Sequence, residues 1–162
     1  MQYTIAAHPT RYKDVLFRSR LEARWAAFFD LTYWNWRYEP FDFECWTPDF
    51  AISVHGQFDE FPEDTKFVEV KPYTKQDDWE GVIRKIQESS LDKHWDDGSL
   101  VRLCGIHPRA SFHISYGMFE PSGKGYRHPK PIVLPVKTWN VGGDDSDDRR
   151  WEEAGRLVRY KG

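Results

Sequence analysis

Phe67-Val68-Glu69-Val70-Lys71 is an apolar, strand-type run carrying two charges where a buried strand should have none. Side chains alternate faces along a strand, so Glu69 and Lys71 share one side while Val68 and Val70 share the other. One face is core and the other is chemical. Upstream, Thr47-Pro48-Asp49-Phe50 opens a second run in which Phe50, Ile52 and Val54 alternate with Asp49, Ala51 and Ser53. If the two runs pair, Asp49 joins Glu69 and Lys71 at one sheet edge. Two carboxylates with an ammonium beside them suit a divalent cation and phosphodiester chemistry. Residues 55–65 are polar, contain Gly56 and Pro62, and read as the connecting loop.

Working outward, residues 14–30 read as a first helix, with Phe17, Leu21, Trp25, Phe28 and Phe29 on one stripe. Glu22 falls roughly 90° from the centre of that stripe, at the border between core and solvent. The dozen residues before it read as an irregular arm. A strand over 33–39 ends at Pro40, and a second helix spans 77–90, with Asp77 and Asp78 in its first turn. Its inner face carries Trp79, Val82, Ile83 and Ile86, and its outer face Arg84, Lys85 and Gln87. Leu100 to Ile106 is nearly all apolar, as a central strand should be. Strands are also expected at 112–116 and 132–136, with a basic loop between them, Ser122 to Lys130, that lacks P-loop spacing. The chain is thus α/β (α+β): a central mixed sheet flanked by helices, one domain over 1–141. An acidic linker and a short helix follow over 142–162, with Trp151, Ala154 and Val158 as the apolar stripe of that helix.

The order Pro48-Asp49, a gap, then Glu69-Val70-Lys71 resembles the PD-(D/E)XK nuclease superfamily, the restriction-endonuclease-like fold. The helical run Phe17 to Phe29 and the Trp36-Arg37-Tyr38-Glu39-Pro40 segment after it look like small phage-type members in particular. The resemblance covers about residues 14 to 106. It implies an αβββαβ core and metal-dependent hydrolysis of nucleic acid, with DNA favoured and RNA left open. It further implies Mg2+, with Mn2+ able to substitute, held by Asp49, Glu69, the Val70 carbonyl and an additional ligand, Glu22. Lys71 would orient or help deprotonate the attacking water. Gln87 matches a helix-two glutamine of exonuclease-like members, but Leu91 stands where a tyrosine usually follows, so exonuclease and endonuclease action both stay open. Arg18, Arg20 and Arg24 beside the first helix, and Lys124 and Arg127 in the basic loop, are candidates for phosphate contacts.

At 162 residues and 40% hydrophobic content the chain can bury a sizeable core. Its net charge of −3 gives no global nucleic-acid signature, so any DNA grip requires a local basic face. Cys45 and Cys104 lie in apolar surroundings without a CxxC, and the six histidines show no paired ligand spacing. This argues against a zinc site and a disulfide framework, and leaves buried, reduced thiols as the expectation. With neither a signal peptide nor an apolar run of spanning length, the expected location is cytoplasmic, in the host if phage-encoded, with no membrane partner. Aromatic residues make up 17% of the chain, and they read as an aromatic core around the first helix ahead of base-stacking platforms. Plainer readings stand beside the chemical one: Asp49 as a turn residue, Glu69 and Lys71 as an ion pair, Glu22 as a surface partner of Arg18. The functional alternative is a catalytically silent module that binds nucleic acid or protein, such as a phage accessory factor. A homodimer stays open.

Overall fold

Ser19 decides where the first helix begins. Its backbone is extended (φ −140°, ψ 157°) and its hydroxyl accepts the Glu22 N–H at 3.1 Å, so α1 runs Arg20–Leu31 rather than from residue 14. The residues ahead of it follow a strand period instead: Phe17 is fully buried while Leu16 is exposed. Val15–Phe17 (β2) pairs antiparallel with Thr10–Tyr12 (β1) across a turn in which Lys13 adopts φ 51°. The expected irregular arm is therefore partly a hairpin, and Phe17 enters the aromatic core from a strand. Thr32 closes α1 by donating its hydroxyl to the Phe28 and Phe29 carbonyls.

The computed structural model describes residues 7–54, 64–89, 101–119, 125–137, 139 and 146–159. Among them, the fold is mixed α/β, with a six-stranded mixed sheet and three helices. Sheet order follows chain order: β3 (Asn35–Tyr38), β4 (Phe50–Ser53), β5 (Lys66–Val70), β6 (Val101–Cys104), β7 (Phe112–Phe119) and β8 (Gly125–Pro135). All neighbours are antiparallel except β5 and β6. Between these two come a 3-10 turn, Gln76–Trp79, and α2, Glu80–Glu88, the crossover that a parallel pair requires. Most of the loop expected at 55–65 lies outside the described residues. Asp64, at its end, accepts from the Ser53 hydroxyl at 2.6 Å and the Val54 N–H at 2.8 Å, fastening the base of the β4–β5 connection.

The basic segment is not all loop. Gly125 to Lys130 belongs to β8, with Arg127 opposite Gly117, while 120–124 lie outside the described residues. β8 is an edge strand, and an edge tolerates Pro129, Pro131 and Pro135 because one side of its backbone needs no ladder partner.

Alternation along the strands divides the interior. Phe50, Ile52, Val68, Val70 and Cys104 join Trp25, Phe28 and Phe29 of α1 on one face, with Trp151, Ala154 and Val158 of α3 (Asp147–Arg159). On the other face Ala51, Phe67, Val101, Leu103 and Ile114 pack with Trp79, Ile86, Phe43 and Trp46. The described residues thus fold into three layers, in which Trp25, Trp46, Trp79, Trp139 and Trp151 are buried and Trp34 and Trp36 half-buried. Asp147 and Asp148 lie in the first turn of α3, favourable to its dipole, rather than in a linker; residues 141–145 lie outside the described residues. Arg24 fastens α1 to α3: its guanidinium lies 4.1 Å from the Trp151 ring centroid and donates to the Trp151 carbonyl at 3.0 and 2.8 Å.

At the end of β6, Trp25 Nε1 donates to the Gly105 carbonyl at 2.9 Å. A Cβ on Gly105 would lie 2.2 Å from the Ala110 carbonyl oxygen and 2.5 Å from that of Tyr73, so only glycine fits between these backbones. Among the described residues no helix is long and apolar enough to cross a membrane.

Candidate metal centre

Asp49 stands one residue before β4 and is anchored twice to β5. Its N–H donates to the Val68 carbonyl at 2.8 Å, and its Oδ2 accepts the Val70 N–H at 2.7 Å. The residue is 1% exposed. Glu69, also buried, accepts Trp46 Nε1 on Oε2 at 2.9 Å and Lys71 Nζ on Oε1 at 2.6 Å. Lys71 Nζ also lies 4.0 Å from Asp49 Oδ2 and donates to the Val70 carbonyl at 3.1 Å. Strand alternation and the β4–β5 register therefore bring Asp49, Glu69 and Lys71 to one sheet edge.

Glu22 comes to the same place from the first turn of α1. It is buried, and its Oε2 accepts the Tyr38 hydroxyl at 2.6 Å. Arg18, just before the helix, ties these parts together: Nη2 is 2.5 Å from Asp49 Oδ1, and Nε is 3.2 Å from Glu39, 3.2 Å from the Tyr38 oxygen and 4.0 Å from Glu22.

Three carboxylates in a largely dry corner repel one another. Burial, and then the charge of Glu69, push the Asp49 carboxyl up to about 7; Lys71 and the Val70 N–H oppose the rise, and Glu22 adds to it. Burial by itself would lower the Lys71 ammonium, but Glu69 and Asp49 outweigh it and hold its pKa above the ordinary value. Lys71 is thus charged at neutral pH. Burial and the bond to Glu22 push Tyr38 up to about 12, which keeps it an O–H donor.

The donor chemistry fits a hard divalent cation: Asp49, Glu69, the Val70 carbonyl and Glu22 all offer oxygen donors, and a cation would relieve the repulsion that raises Asp49. Among the described residues, no three acidic, histidine or cysteine side chains converge as a ready-made cage. Arg18 and Lys71 instead hold the carboxylate oxygens.

The candidates for phosphate contact fare differently. Arg18 lies at the centre, and Arg20 is exposed on α1. Arg24 is spent on Trp151 and α3, a packing role that its helical position did not disclose. Gln87 is exposed on α2, lining a groove with Gln76, Asp77, Glu80, Ile83 and Arg84 that contains none of the carboxylates of the site. Arg127 sits in β8, and Lys124 lies outside the described residues.

Two further residues emerge only in three dimensions, Tyr38 on Glu22 and Trp46 on Glu69. The alternation Trp36-Arg37-Tyr38 could have signalled the first. Trp46 comes from a tight reversal in which it bridges Phe43 around Cys45, whose φ is 64°. That reversal leaves Cys45 exposed rather than buried, while Cys104 is buried as expected. Comparison with protein-family models, curated proteins and solved structures finds no match for this chain.

Proposed function

We propose that the chain is a metal-dependent nuclease that hydrolyses phosphodiester bonds in nucleic acid, with DNA as substrate. The observation that carries the reading is the joining of Asp49, Glu69 and Lys71 through the Lys71 ammonium, 2.6 Å from one carboxylate and 4.0 Å from the other. The element order α1-β3-β4-β5-α2-β6, with β5 and β6 parallel, fits a restriction-endonuclease-like αβββαβ core and supports it. Asp49, Glu69, the Val70 carbonyl and Glu22 would hold Mg2+ or Mn2+. When bound, such an ion supplies Lewis-acid polarisation of the scissile phosphate and a lowered pKa for water.

The protein's own groups divide the remaining tasks. Lys71, held charged, orients water and offsets negative charge building on the phosphoryl oxygens. Trp46 and Tyr38 fix the rotamers of Glu69 and Glu22 by hydrogen bonds to their carboxylates. Arg18 supplies a second cation at the rim.

A silent binding module is the second reading, and one observation favours it: Arg18 and Lys71 already pair with the carboxylates, as in a structural ion-pair cluster. The test is incubation with linear, circular, single-stranded and branched DNA, and with RNA, in Mg2+, Mn2+ or EDTA. Cleavage that requires the metal and vanishes in Asp49→Asn supports the nuclease. Metal-independent binding without cleavage supports the module.

A further inference from the structure

We infer that Arg18 and the metal are rivals for one oxygen of Asp49, so that loading the metal frees Arg18 to grip a phosphate of the substrate strand. The inference rests on the nuclease reading and adds a coupling between cation and nucleic acid.

Asp49 holds the backbone with one carboxylate oxygen and Arg18 with the other. Oδ2 is held by the Val70 N–H at 2.7 Å, within the β4–β5 junction, whereas Oδ1 carries Arg18 Nη2 at 2.5 Å. Arg18 reaches that buried carboxylate from outside. Its side chain is 62% exposed while that of Asp49 is 2% exposed, so the guanidinium caps the entrance without being packed into the core. Its backbone is fixed, because the Arg18 N–H donates to the Tyr38 hydroxyl at 3.3 Å, and Ser19 begins the helix immediately afterwards. The side chain can therefore leave Asp49 by rotamer change alone while its root stays at the site.

A divalent cation and a guanidinium at Oδ1 compete for its lone pairs and repel each other. Displaced from Asp49, Arg18 keeps Glu39, an exposed carboxylate, as its partner at 3.2 Å. That exposed pair is weak and readily exchanged for a phosphate, which a guanidinium binds as a planar fork.

The experiment uses the full chain with Arg18→Met, which keeps the aliphatic stem and loses the cation, and Arg18→Lys, which keeps the charge and loses the fork. Near-ultraviolet circular dichroism of the buried tryptophans first verifies that each variant is folded. Mn2+ is titrated calorimetrically without nucleic acid, and a DNA duplex oligonucleotide is titrated in Ca2+ and in EDTA.

Arg18→Met is expected to bind Mn2+ about fivefold tighter than wild type, because the competing partly exposed pair is gone. The same variant should bind DNA about tenfold more weakly in Ca2+, with little change in EDTA. Arg18→Lys should recover the wild-type Mn2+ affinity more fully than the DNA affinity. Equal Mn2+ affinity in wild type and Arg18→Met overturns the rivalry and leaves the nuclease reading standing. Tighter Mn2+ with unchanged DNA binding overturns the transfer to phosphate. If wild type and Arg18→Met both fail to bind Mn2+, the metal centre itself is refuted and the rivalry falls with it.

Discussion

Asp49 turns the crowding of its corner into a measurable pH dependence. Burial and the charge of Glu69 push the Asp49 carboxyl up from an ordinary 3.8 to about 7, so between those values the folded state holds a proton that the unfolded state has lost. The stabilisation is complete below about pH 4 and is lost as pH rises through 7, by an amount on the order of a few kcal/mol. Urea melts in EDTA should therefore show the wild type weaker at pH 8 than at pH 5, and Asp49→Asn should flatten that slope. Mn2+ should raise the melting temperature more at pH 8 than at pH 5, since protons compete with it. Glu22→Gln tests the extra ligand: it should shrink that metal-induced rise and sharply cut cleavage, while full turnover with an undiminished rise would remove Glu22 from the site. Trp46→Phe keeps an aromatic ring beside Phe43 but removes the indole donor to Glu69, a bond worth about 1.5–3 kcal/mol because its acceptor is charged. Cleavage by Trp46→Phe should fall at least about tenfold if that energy is needed to hold Glu69. Glu69 and Lys71 were legible because a strand has period two and both carry charge. Trp46 and Tyr38 were not, because their roles arise from pairings between distant segments.

Among the elements, the start of α1 shows how two periods can compete in one stretch. Phe17 suits the helical stripe as well as the strand alternation with Leu16, and the apolar pattern alone favoured the longer helix. The cap breaks the tie: Ser19, three residues before Glu22, is the sequence mark of a helix start and the observed bond. Ser19→Ala should cost about 1 kcal/mol of stability by chemical denaturation, and it should loosen the turn that carries Glu22. The central strands were legible from their apolar runs and bounding prolines. Of β8 only the second half, expected as a strand at 132–136, was legible; its first half was not, because Pro129 and Pro131 suggest a loop and only the edge position makes them tolerable. Gly105 was equally silent. Gly105→Ala should lower the melting temperature steeply, since the added methyl meets two backbone carbonyl oxygens rather than a side chain that could turn away. A normal melting temperature would mean that the β6 end and the Tyr73 segment can part at little cost.

On the scale of the whole molecule, the last helix is the part that sequence reading set apart and that packing draws in. An acidic run before a short amphipathic helix looks like an appendage, yet Trp151 lies 4.8 Å from the Trp25 ring and 5.9 Å from Phe28. Arg24 gains its partner only because α3 is there. Trp151→Ala should cost about 3–5 kcal/mol, as for a large core aromatic, and should weaken Mn2+ binding because α1 carries Glu22. The Arg24–Trp151 clasp joins segments 127 residues apart in the sequence. A chain extended only to residue 145 lacks the roof that α3 forms over α1, the helix that carries Glu22. Chains truncated before residue 146 should therefore bind Mn2+ poorly even with Asp49, Glu69 and Lys71 all present.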